Sequence, residues 1–127
     1  MRALLLCLLP LPALAETPMS GAEFEAYTTG KTLSYGTGAE PYGVERYHEN
    51  RRVTWAFVGG DCIEGEWYEP EPGMICFAYP DLEPEQCWRF FEEEQGLRAE
   101  FVNDPALSTL FEVSDTDLAL ICPGYGV

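Results

Sequence analysis

The chain has 127 residues, enough for one small domain, with 7 Lys and Arg against 22 Asp and Glu and a formal net charge of −15. Hydrophobic residues make up 46%, which excludes a disordered acidic tail, and the charge excludes a general binder of phosphate backbones. Aromatic residues reach 13%, with 12 Gly and 10 Pro, a mixture that suits a turn-rich β protein. No apolar run reaches the roughly 18 residues of a membrane-spanning helix.

Residues 1–15 read as a secretory signal peptide: Arg2 is the basic start, Ala3 to Leu11 the apolar stretch, and Ala13 and Ala15 the small residues a signal peptidase reads. Pro10 and Pro12 argue against a core helix there. Residues 16–127 are then expected to form a single domain, periplasmic or secreted.

Removing Cys7 leaves Cys62, Cys76, Cys87 and Cys122, an even number in a small exported domain, which predicts two disulfides. No C-x-x-C pair occurs and the single histidine is His48, so neither a metal nor another cofactor is expected.

In chain order, Ser20 to Thr29 predicts a short helix: Ser20 followed by Glu23 is a capping-box pattern, Phe24 and Tyr27 share a face, and Gly30 suits the C-terminal stop. The period then changes to two. Strands are expected at Lys31 to Tyr35 and Tyr42 to Tyr47 around a Gly36-Thr37-Gly38 turn, then at Arg52 to Val58, Cys62 to Glu69, Met74 to Tyr79, Cys87 to Glu92 and Leu97 to Val102. The breaks are Gly59-Gly60-Asp61, Pro70 to Gly73, Pro80 to Gln86 and Glu93 to Gly96. A helical turn within Asp104 to Leu110 and a last strand at Phe111 to Val113 complete the reading, with Asp117 to Cys122 either a short helix or an extended cover. Short loops between successive strands imply an antiparallel meander of about six to eight strands, an all-β small barrel or curled sheet with a short N-terminal helix.

Alternation sets the register. Pairing Val58 with Cys62 puts Val53, Trp55, Phe57, Ile63, Gly65 and Trp67 on one face, with Gly65 opposite Trp55. Glu92 opposite Leu97 places Phe90 opposite Ala99 and Trp88 opposite Phe101, and sets Arg89 against Glu100 as a cross-strand ion pair. Ile75, Phe77 and Tyr79 join the apolar face, which turns Cys76 and Cys87 outward and opposite each other. The expected bridges are therefore Cys76–Cys87 and Cys62–Cys122. On a loop-entropy model they are worth about 3 and about 4 kcal/mol.

The acids Glu64 and Glu66, Glu69 and Glu71, and Glu92 to Glu94 could supply paired carboxylates for an enzyme, but they fall on the solvent side of strands or in loops and read as a solvated face. His48, beside Glu45 and Glu49, reads as a surface histidine, and Ser20, Ser34, Ser108 and Ser114 lack a nucleophile-elbow setting. Asp115-Thr116-Asp117 and the acidic loop Asp81 to Glu85 read as polar turns rather than calcium loops. The rings Trp55, Phe57, Trp67, Phe77, Trp88, Phe90 and Phe101 form either a filled core or the lining of a ligand cavity. Tyr35, Tyr42, Tyr47, Tyr68 and Tyr125 could gather as a binding patch.

The strand Cys62-Ile-Glu-Gly-Glu-Trp67-Tyr, then Ile75-Cys-Phe-Ala-Tyr79 and Gln86-Cys-Trp-Arg-Phe90, resembles a pattern of small exported proteins of alphaproteobacteria, a family without an assigned function. Thr32 to Tyr35 and Gly124 to Val127 extend the likeness. It implies export and a β-rich scaffold, and no activity.

The expected function is a non-enzymatic, acidic binding or accessory module of the cell envelope. It would be a monomer that meets a basic protein segment or a cationic ligand, with Glu64, Glu66 and Tyr68 as its candidate contacts. The alternative is a lipocalin-like carrier of a small apolar molecule, which needs an internal cavity of roughly 300 Å³ or more. An enzyme using paired carboxylates comes third.

Overall fold

The computed structural model describes residues 8–9, 16–38, 40–107 and 109–113. Ser20 caps a helix, α1 (Gly21–Thr28), its hydroxyl accepting the Glu23 amide while the Glu23 carboxylate accepts the Ser20 amide. Eight strands follow: β1 (Thr32–Thr37), β2 (Glu40–Tyr47), β3 (Arg52–Phe57), β4 (Ile63–Glu71), β5 (Met74–Tyr79), β6 (Leu82–Glu93), β7 (Gly96–Phe101) and β8 (Leu110–Val113). Each pairs antiparallel with the next, and β8 returns to β1 through Ser34↔Val113, Tyr35↔Glu112 and Gly36↔Phe111. The meander is thus a closed barrel without a free edge.

Alternation places Leu33, Tyr35, Val53, Trp67, Ile75, Phe77, Tyr79, Phe90, Leu97 and Ala99 inside, where they form one buried cluster with Met19 and Phe24. Phe24 closes one end of the barrel. It is fully buried, its ring centroid 4.4 Å from Phe90, 5.1 Å from Trp67 and 5.6 Å from Tyr47. The segment is pinned on three sides. The Met19 amide donates to the Phe90 carbonyl at 2.8 Å, one Glu69 oxygen accepts the amides of Gly21 and Gly73 at 2.8 and 2.9 Å, and Arg51 meets Glu25 at 2.6 Å. Those two amides hold the Glu69 carboxyl below its ordinary pKa.

The register of the β6–β7 hairpin is the expected one, with Glu92↔Leu97, Phe90↔Ala99 and Trp88↔Phe101. Ile75↔Trp88 and Cys76↔Cys87 also pair, and the Cys76–Cys87 disulfide is formed. Cys62 is disulfide-bonded as well, but its expected partner Cys122 lies outside the described residues.

Other expectations are corrected. The β3–β4 hairpin pairs Trp55 with Ile63 and Val53 with Gly65, two residues out from the expected register, because the turn after Phe57 is wider. Gly60 donates to the Phe57 carbonyl and Gly59 has φ 76°, so Val58 and Cys62 belong to the loop. A slip of two preserves the faces, and the apolar side is unchanged. Gly36 and Thr37 extend β1 instead of forming a turn, because a bulge after Tyr35 absorbs the irregular pairing. The stretch Asp81 to Glu85 is no loop: β6 starts at Leu82, and a register shift between Phe77 and Tyr79 accommodates Pro84, which has no amide to give the ladder. Residues 104–107 make a single turn closed by the Leu107 amide on the Asp104 carbonyl, and the last strand begins at Leu110. Arg89 pairs in register with Glu100 but forms its ion pair with Glu71 at 3.4 Å, while Glu100 is held by Arg98, which also meets Glu16 and Glu93.

A candidate ligand cavity

The α1 end of the barrel is packed, whereas the opposite half is hollow. Its strand ends carry Thr37, Tyr42, Phe57, Tyr79, Leu82, Gln86, Phe101 and Leu110, and the space between them is a cavity of about 530 Å³. Deeper in, Tyr35, Glu45, Tyr47, Trp55, Phe77, Trp88, Phe90 and Ala99 form its walls and floor. Phe24, which meets Tyr47 and Phe77 edge-on and lies tilted against Phe90, packs behind these lining rings on the α1 side. At the mouth Tyr42, Phe57 and Leu107 are exposed apolar groups, with the Tyr42, Trp55 and Phe57 rings in mutual contact at centroid distances of 5.3–6.1 Å.

Two glycines shape the interior. A Cβ on Gly43 would lie 2.3 Å from the Trp55 ring, and one on Gly65 would lie 2.5 Å from both the Ala78 carbonyl and the Tyr79 ring. Large rings lie over the bare backbone at both places. Covering Gly65 brings the Tyr79 hydroxyl to Glu45.

Glu45 is the unexpected member of this interior. It sits in β2 opposite Leu33 and Trp55, with 2% of its surface exposed. The Tyr79 hydroxyl donates to its Oε1 at 2.7 Å, and its Oε2 is buried without a hydrogen-bond partner. Loss of water pushes its pKa from an ordinary 4.5 up to about 8, against a smaller downward pull from the Tyr79 hydroxyl. Burial, reinforced by the Glu45 charge, also raises Tyr79. Nearby the Tyr35 and Tyr47 hydroxyls bond each other at 2.8 Å, both held far above the ordinary phenol range by burial. A carboxyl and four phenols therefore line a largely apolar cavity, and among the described lining residues none is basic.

Six of the seven rings singled out from the sequence, Trp55, Phe57, Phe77, Trp88, Phe90 and Phe101, line this cavity, whereas the expected polar contacts lie elsewhere. Glu64, Glu66 and Tyr68 alternate along the outer face of β4, exposed, with the Tyr68 hydroxyl donating to Glu85. They do not meet the cavity, and Glu64 and Glu66 do not face each other across a cleft. His48 bonds Thr54 through Nε2 at 2.8 Å instead of pairing with Glu45 or Glu49. Ser108, Ser114, Asp115, Asp117 and Tyr125 lie outside the described residues. Of the tyrosines, Tyr35 and Tyr47 turn inward, Tyr42 stands at the mouth and Tyr68 outside, so they form no single patch. Among the described residues no cluster of three or more His, Cys, Asp or Glu is arranged to hold a metal ion, and no helix is long and apolar enough to cross a membrane.

A signal for Glu45 was present in the sequence. Carrying the alternation from inward Trp55 and Val53 across the short connection to β2 puts Tyr47 and Glu45 on the inner face. An acid within a ring-lined face marks a site. Comparison with protein-family models, with curated proteins and with solved structures finds no match for this chain.

Proposed function

We propose that this protein is a non-enzymatic, lipocalin-like binding barrel that holds a small molecule with an apolar or aromatic body, and that it works outside the cytoplasm. The observation that carries this reading is the cavity of about 530 Å³, closed by Phe24 at one end and open at the other. Its volume falls within the roughly 300–1,000 Å³ usual for small-molecule sites, and its walls are largely apolar with a few placed polar groups. The Cys76–Cys87 disulfide fits an oxidising compartment. Glu64, Glu66 and Tyr68 on the outer face of β4 could also meet a basic protein segment, but the hollow interior is the feature that supports a small-molecule site.

The test is titration with an uncharged aromatic dye, N-phenyl-1-naphthylamine, read by energy transfer from Trp55 and Trp88 in the cavity wall. The expected result is saturable binding with Kd on the order of micromolar. Gln86→Trp, which places an indole inside the cavity, should weaken uptake at least tenfold while the thermal transition stays cooperative. Absence of saturable binding, or uptake indifferent to Gln86→Trp in a folded variant, would overturn the proposal.

A further inference from the structure

We infer that the cavity takes an organic cation, an amine carried on an aromatic or apolar body, with its N–H donated to Oε2 of Glu45. This rests on the binding-barrel reading and adds the chemical class of the ligand.

Three independent observations converge. First, Glu45 Oε2 is a buried polar atom with no hydrogen-bond partner, on a side chain that lines the cavity. Leaving such an atom unsatisfied is costly, and the cost is recovered when a ligand donor reaches it. Second, the other oxygen already accepts from Tyr79, so the carboxyl is held in one orientation. Its strand partners are Leu33 of β1 and Trp55 of β3, and it interacts with the phenols of Tyr35 (β1), Tyr47 (β2) and Tyr79 (β5). Ring faces attract cations, and none of these side chains supplies a competing positive charge. Third, a chain carrying −15 sets up a potential that draws cations toward a low-dielectric opening. An anionic ligand would meet both that potential and the Glu45 carboxyl.

The arrangement also specifies a proton balance. In the empty cavity at pH 7 the Glu45 carboxyl is protonated, because burial raises its pKa to about 8. A bound ammonium stabilises the carboxylate, so the proton leaves for solvent as the ion pair forms. At pH 9 the carboxyl has already ionised and no proton is released. Tyr35, Tyr47 and Tyr79, the other titratable groups facing it, remain neutral throughout.

Isothermal calorimetry at physiological ionic strength tests this with matched pairs: benzylamine against benzyl alcohol, and tryptamine against tryptophol. We expect at least one amine to bind about tenfold or more tightly than its uncharged partner. We expect that preference to vanish in Glu45→Gln and to survive in Glu64→Gln, which removes an exposed acid outside the cavity. Titrations of tryptamine, the more basic amine, in buffers of different ionisation enthalpy should show more proton release at pH 7 than at pH 9. Alcohols binding as well as amines, or an amine preference that persists in Glu45→Gln, would overturn the assignment. Failure of the amines in a protein that still takes up N-phenyl-1-naphthylamine would overturn the cation alone, whereas loss of both would overturn the binding barrel.

Discussion

Glu45 shows how one buried side chain can be placed against stability, and the proposed binding of a cation gives it a use. Its carboxyl, buried among rings, keeps its proton to about pH 8, whereas the unfolded chain sheds it near the ordinary 4.5. Between those values the folded state binds more protons than the unfolded state. The contribution of this group to stability therefore falls as pH rises, by up to about 1.4 kcal/mol per pH unit. Glu45→Gln removes that slope. Chemical denaturation between pH 5 and pH 9 should show the variant gaining on the parent as pH increases, and the two differing little in trend above pH 8. A difference that does not change with pH would mean that Glu45 is solvated in the folded protein. Gly43 and Gly65 act at the same scale: the missing side chains let Trp55 and Tyr79 lie against bare backbone, and Tyr79 reaches Glu45 as a result.

At the scale of elements, β5 and β6 carry the cross-strand bridge, and α1 carries the plug. Cys76 and Cys87 sit directly opposite each other, with 11 residues of separation, so the bond closes a short loop in the unfolded chain. The Cys76→Ser/Cys87→Ser double variant should lose up to about 3 kcal/mol in denaturant titration. It should retain ligand uptake, because β5 and β6 remain hydrogen-bonded to each other and to β4 and β7. Loss of uptake without loss of stability would instead assign the bridge to the cavity. The helix was readable locally, since a capping box and a glycine stop are short-range chemistry. Its destination was not, because the burial of Phe24 depends on four strands far along the chain. The β6 start was misread for a related reason: Pro and acids signal a loop locally, yet a bulged strand tolerates both.

At the scale of the molecule, closure creates the cavity. The β1–β8 pairing joins Tyr35 to Glu112 across most of the chain and turns a curled sheet into a vessel. Phe24 then decides how much of that vessel is empty. Phe24→Ala should cost about 3–5 kcal/mol, as for other buried large-to-small changes. It should also deepen the cavity toward Tyr47, Trp67 and Phe90, so that a longer probe gains affinity over the parent while a short one does not. Equal affinities for long and short probes in both proteins would place the ligand above the plug and out of contact with it.

Alternation, turn residues and cysteine count were enough to read an all-β meander, most of its pairings and the Cys76–Cys87 bridge, because each depends on neighbours a hairpin apart. The same logic placed Glu64 and Glu66 on the solvent side, where they are, whereas the inward position of Glu45 was not drawn from it. Whether the rings would fill the interior or enclose a space was a question of volume. It was settled by the plug at one end, the two glycines and the closing strand, and these meet only once distant parts of the chain have packed together.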